Sequence, residues 1–159
     1  MSGPDQAVLD VLYREAMLLD DGELEAWLEL YTEDCIYWIP SEQGDTDPRR
    51  EVSIVYDDKR RLGGRVARLL SGKEYGQDPP SVTCHQLSNI VAGNTSDDKH
   101  LEVAAVQVVY EKRLNTSLQV LPGRVHWRLR RDGGSIRVVE KRIDLVDVHY
   151  YYENLTFVL

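Results

Sequence analysis

Apolar residues near the start of the chain recur at spacings of three and four. Val8, Leu9, Leu12, Ala16 and Leu19 form one stripe of an amphipathic helix over residues 6–19. Asp20-Asp21-Gly22 ends it, with Gly22 free to take the backbone conformation a helix stop favours. A second, shorter helix over 23–31 puts Leu24, Trp27, Leu28 and Tyr31 on one face. Residues 35–39 are rich in strand formers, and Pro40 ends that strand because it has no N–H to give a ladder. The polar stretch 41–50 reads as a loop and 52–56 as a short strand. Asp57 or Asp58 can cap a third helix whose apolar face is Leu62, Val66, Leu69 and Leu70. Its exposed side carries Lys59, Arg60, Arg61, Arg65 and Arg68 and reads as a solvated face.

Beyond Pro80 the period drops to two. Strands are expected over 82–92, 101–114, 119–131 and 136–148, with turns marked by Gly93-Asn94, Asn115-Thr116 and Asp132-Gly133-Gly134. Pro122-Gly123 predicts a bulge or bend near the start of the third of these strands. Helices first and a long antiparallel meander afterwards predict one α+β domain over residues 1–159, its helices packed on one sheet face. A curled sheet closed by helices at one side would be a cone with an interior pocket; the periodicity supports the sheet and does not by itself establish the cone.

The chain has 159 residues, 42% of them apolar and 29% charged, which suits one packed core and excludes a disordered chain. No stretch approaches the roughly 18 apolar residues of a membrane span. The start, MSGPDQ, lacks the basic and apolar regions of a secretory signal, so a cytoplasmic protein is expected. With 27 acids against 19 bases the net charge is −8, which argues against a nucleic-acid partner. The two cysteines, Cys35 and Cys84, exclude a disulfide framework and a four-cysteine metal centre.

No glycine-rich phosphate loop, G-x-S-x-G or H-E-x-x-H occurs. The histidines, His85, His100, His126 and His149, show neither the pairing of a mononuclear iron site nor the Cys/His spacing of a Rieske cluster. No redox cofactor is therefore expected in this chain. His85, on a strand, can act as a general base if it faces a pocket, with Asp20 or Asp21 at the end of the first helix to orient it. It serves equally well as a hydrogen-bonding residue within the sheet. Tyr31, Tyr37, Trp38, Tyr56 and Trp127 can line a pocket or simply fill the core. Tyr150, Tyr151 and Tyr152 are consecutive, so alternation forbids all three from facing one core. Together with Phe157 in the apolar end of the chain, and with Trp38, they are candidates for a surface buried by another subunit.

Several blocks, in order along the chain, carry a resemblance. They are Tyr13-Arg14-Glu15-Ala16, Leu19-Asp20-Asp21, Trp27 to Tyr31, and Tyr37-Trp38-Ile39-Pro40. Glu51 to Asp58, Leu62 and Arg65 to Leu69 follow, then Asp78-Pro79-Pro80-Ser81, His85, Ser88-Asn89, Lys141-Arg142 and Asn154 to Phe157. Together they resemble the small (beta) subunit of bacterial aromatic-ring-hydroxylating dioxygenases, a family with the cone-shaped fold shared by nuclear transport factor 2 and ketosteroid isomerase. The resemblance implies a non-catalytic chain that stabilises a hexamer of three alpha and three beta subunits, with a homotrimer of this chain inside it. It also implies that the alpha subunit holds the Rieske [2Fe-2S] cluster and the mononuclear Fe(II). There an aromatic compound is dihydroxylated with O2 and electrons derived from NAD(P)H. The rival reading is a stand-alone cone-fold dehydratase or isomerase that uses His85 with Asp20 or Asp21. A third is a pocketed binding protein without chemistry. The 51–68 block favours the subunit, since a solitary dehydratase has no evident need of it.

Overall fold

The computed structural model describes residues 3–44, 46–72, 79–93, 97–148 and 157–159. Asp5 caps the first helix, α1 (Gln6–Asp20), its carboxylate accepting the Val8 N–H at 3.0 Å. The buried residues of α1 are Val8, Leu12, Glu15 and Leu19, so one carboxylate sits inside an otherwise apolar stripe. Gly22, at φ +72°, turns the chain into α2 (Leu24–Glu29). This helix ends earlier than its pattern predicts. Tyr31 already opens strand β1 (Tyr31–Pro40), because the Leu30 carbonyl accepts from the Val138 N–H at 2.8 Å and the backbone is drawn into a ladder.

After the loop, β2 (Ser53–Asp58) returns antiparallel to β1, and Asp58 caps α3 (Lys59–Leu70) by accepting the Arg61 N–H at 2.9 Å. One residue of the expected solvated face is misplaced. The Lys59 ammonium is half-buried and donates to the carbonyls of Leu28 (2.6 Å) and Tyr31 (2.8 Å), so it terminates α2.

The meander then runs through β3 (Val82–Ala92), β4 (His100–Lys112), β5 (Gln119–Asp132) and β6 (Ser135–Leu145), antiparallel throughout as its turns require. All six strands form one sheet in the order β2-β1-β6-β5-β4-β3. The sheet is mixed, because β1 joins β6 in parallel, with Trp38 opposite Arg142. No turn links those two strands, so no local signal carries their relative direction. The Pro122-Gly123 bulge is absent as well. Register runs unbroken past both residues against β4, and the shift in β5 lies at Arg128/Leu129 against β6. Gly123 answers a different need: a Cβ there would lie 2.9 Å from the Asp144 carbonyl oxygen, so the strands approach too closely for a side chain.

The helices share one face of the sheet. α1 lies against β3 and β6, and α3 against β1 and β2. Between them the core is built on Leu12, Trp27, Tyr37, Leu62, Trp127 and Ile143, all at most 1% exposed. Burial on this scale is the main stabilising contribution, on the order of 1.5–3 kcal/mol for each large apolar side chain.

Candidate functional site

The centre of that core is ionic. Lys141 on β6 shares the inward parity of Ile143 and Leu145, and Glu15 occupies the inward stripe of α1; their side chains are 1% and 2% exposed. Glu15 Oε1 accepts from Lys141 Nζ (3.0 Å), Tyr31 OH (2.5 Å) and Trp27 Nε1 (3.3 Å), and Oε2 accepts from Trp127 Nε1 (3.0 Å). Lys141 Nζ also donates to the Leu159 carbonyl at 2.9 Å. Tyr37 closes the ring: its hydroxyl donates to the same carbonyl (2.8 Å) and accepts from the Leu159 N–H (3.1 Å).

Burial pushes the Glu15 carboxyl up, but the Lys141 charge and the hydrogen bonds from Tyr31, Lys141 and Trp127 outweigh it and hold the group below its ordinary value. Burial likewise pulls the Lys141 ammonium below the usual lysine range, with Glu15 opposing. Burial and the Glu15 charge both push the Tyr31 phenol well up, so it remains a donor. Glu15 is therefore ionised and its donors converge on it. Lys141 spends its protons on Glu15 and Leu159 and faces the rings of Tyr37 (6.0 Å) and Trp127 (5.8 Å). Tyr31, Tyr37 and Trp127 accordingly fill the interior and line no open pocket in it. The cluster joins α1, α2, β1, β5, β6 and Leu159 around one point, and its chemistry is that of a fastening.

The candidate dyad does assemble, with one of its two possible carboxylates. His85 Nδ1 lies 2.6 Å from Asp20 Oδ1, while Asp21 is the exposed C-cap of α1. Asp20 also accepts from the His85 backbone N–H (2.9 Å) and the Thr83 hydroxyl (3.0 Å). Burial pushes the Asp20 carboxyl up, but the bonds from the His85 ring and backbone and from Thr83 hold it below the ordinary value. An ionised Asp20 assigns Nδ1 as a donor and leaves Nε2 as the free ring nitrogen, the orientation a general base requires. Nε2 is buried, however, and has no hydrogen-bond partner. With the side chain 1% exposed, no substrate reaches it. The same contacts serve another purpose. β3 is the last strand of the sheet, and Asp20 covers the N–H that His85 presents on its open edge.

The remaining candidates separate. Trp38 alternates to the opposite sheet face, where the Arg142 guanidinium lies 4.5 Å from its ring and Tyr56 meets it edge-on at 6.0 Å. Its Nε1 donates to Ser53 Oγ at 2.9 Å, and only 7% of the residue is exposed, so its own chain covers it. Phe157 is half-buried and walls a cleft of about 470 Å³ with Leu19, Leu24, Leu69 and Thr83. Tyr150, Tyr151 and Tyr152 lie outside the described residues. Among the described residues no three His, Cys, Asp or Glu side chains gather as a metal site; the His85 and His100 rings are held by Asp20 and Asp97. No described helix is long and apolar enough to cross a membrane.

Sequence reasoning missed Glu15 and Lys141 as a pair. The signal was there: each is a charged residue at an inward position of its own element, and the two charges are opposite.

Comparison with known proteins bears on this arrangement. The small oxygenase component of the p-cumate 2,3-dioxygenase system of Pseudomonas putida is 41% identical over 139 residues, covering 85% of this chain and 75% of the relative. The beta subunit of benzoate 1,2-dioxygenase from Burkholderia mallei superposes with a TM-score of 0.77 at 24% identity, over 99% of this chain and 100% of that one. An NTF2-like protein with a cystatin-like fold from Novosphingobium aromaticivorans superposes at 0.58 and 17% identity, over 89% and 81%, which places the curled sheet and its helices in the cone-shaped class. A family profile described as ring hydroxylating beta subunit matches residues 14–149, a span that contains Glu15, Asp20, His85 and Lys141, and the chain belongs to that family.

Proposed function

We propose that this chain is the small, non-catalytic subunit of a multicomponent aromatic-ring-hydroxylating dioxygenase. One observation carries the reading beyond family membership. The inside of the sheet, where a stand-alone enzyme of this fold would keep a pocket, is packed around Glu15, Lys141 and Leu159. A chain so built supports a partner.

In this reading the partner is the large subunit. It holds the Rieske [2Fe-2S] cluster and the mononuclear Fe(II), and it dihydroxylates an aromatic ring with O2 and electrons from NAD(P)H. This chain forms a homotrimer within an assembly of three large and three small subunits, in the cytoplasm. The dehydratase reading loses support because the free nitrogen of the His85 ring is enclosed.

Co-expression with any large subunit that a neighbouring gene encodes is the test. The expected result is one complex with the mass of three copies of each chain, iron that follows the large subunit, and ring dihydroxylation only when both chains are present. A chain that stays monomeric and unbound at micromolar concentration, or one that carries tightly bound iron alone, would overturn it.

A further inference from the structure

On one face, α3 breaks the local rules that stabilise a helix. Arg60 and Arg61 stand exposed in its first turn, at the end where the helix dipole repels cations, with only the Asp58 cap as an acid beside them. Arg61 and Arg65 are four residues apart and Arg65 and Arg68 three, which sets like charges side by side. Gly63 and Gly64 occupy the helix interior, although glycine is the poorest helix former after proline. Nothing in the chain asks for Gly64: a Cβ there would meet only Arg68 Nη1, at an ordinary 3.8 Å.

The charges are also unanswered. Arg65 has Asp57 at 2.8 Å, and Arg128, Arg130, Arg131 and Arg142 each face a carboxylate. Arg60, Arg61 and Arg68 are exposed, and their guanidiniums have no carboxylate partner among the described residues. Arg14 and Arg124 also lack one elsewhere, but here three such guanidiniums gather on one helix. The arginines border a concavity of about 350 Å³ that includes Gly64. Local rules broken together on one face, with no compensation inside the chain, mark a functional surface.

We propose that this face docks an acidic segment of the large subunit. Carboxylates seat between the guanidiniums of Arg60, Arg61 and Arg68, whose forks suit paired hydrogen bonds to a carboxylate, and the incoming backbone passes close over Gly64. The proposal rests on the small-subunit reading. A second copy of this chain is the competing occupant, and the oligomeric state of the small chain alone tells the two apart.

The test measures affinity for the large subunit and, separately, the oligomeric state of the small chain alone. The triple variant Arg60→Glu/Arg61→Glu/Arg68→Glu should bind the large subunit about 100-fold more weakly and keep its own oligomeric state. Wild-type affinity should fall about tenfold between about 50 and 300 mM salt. Gly64→Ala should raise the melting temperature of the isolated chain by about 2–4 °C while weakening association, and a merely structural glycine would not give those opposite signs. Gly64→Leu, with every charge in place, should weaken association further, and it decides the matter if the triple variant does not fold. Wild-type-like binding by both the triple variant and Gly64→Leu, or loss of the small-chain oligomer in their place, overturns the proposal and leaves the small-subunit reading intact. A wild-type chain that binds no large subunit at any salt ends both.

Discussion

Glu15 on the first helix and Lys141 on the last strand meet 3.0 Å apart at the centre of the core. The carboxylate draws in Trp27, Tyr31 and Trp127, and the ammonium fixes Leu159, so segments distant in the chain converge on one ion pair. Such a pair offsets its own desolvation only while both members are present.

Removing one partner should therefore be far worse than removing both. Lys141→Met leaves a buried carboxylate with neutral donors only, and a loss of about 3–5 kcal/mol is expected from urea unfolding. Combining it with Glu15→Leu should cost much less than the sum of the two single changes. A loss below about 1 kcal/mol for Lys141→Met would show that the pair does not hold the core.

Acid should act through the same group. The folded-state value of Glu15 lies below its ordinary 4.5, so its stabilising contribution is complete above that value and disappears as pH falls through the lowered one. Asp20 behaves likewise below its ordinary 3.8. Stability measured from pH 7 downward should decline below about pH 4.5 in the wild type. Glu15→Gln should start lower and decline less steeply, and a parallel decline would mean that Glu15 is not a source of the acid sensitivity.

The meander was legible because its alternation and its Gly/Asn turns are local: β3 spans 82–92 as predicted, and Asp58 caps α3. The parallel pairing of β1 with β6 was not, since strands separated by the whole meander share no turn. Gly123 was visible as a special residue but not its reason, because the Asp144 carbonyl that excludes a side chain belongs to another strand. Asp20 and His85 were legible as candidates, yet spacing says nothing of what encloses Nε2. In α2, periodicity carried Tyr31 into the helix, and the tertiary bond from Val138 to Leu30 overrode it.

Gly123→Ala tests the close approach directly. The new methyl would sit 2.9 Å from a backbone oxygen that a side-chain rotation cannot move, so β5 and β6 must separate locally. A loss of about 1–3 kcal/mol is expected, against almost none for Gly3→Ser, where open space surrounds the residue and the backbone is not left-handed. Equal melting temperatures for wild type and Gly123→Ala would contradict the close packing of these strands.

Asp20 and His85 separate a structural role from a catalytic one. If the ring held by Asp20 were a general base, His85→Gln would remove a proton-transfer contribution of about 10²–10⁴ in rate while fold and assembly survived. The geometry favours the other outcome, because Nε2 is enclosed and Asp20 is occupied in covering the edge of β3. His85→Gln should then lower stability by about 1–3 kcal/mol through the broken contact with Asp20, and turnover per assembled complex should stay at the wild-type level. Asp20→Ala should uncover the His85 N–H on the open strand edge and raise concentration-dependent self-association of the isolated chain. A His85→Gln complex that assembles and melts like the wild type yet turns over nothing would reverse the assignment and make the dyad catalytic.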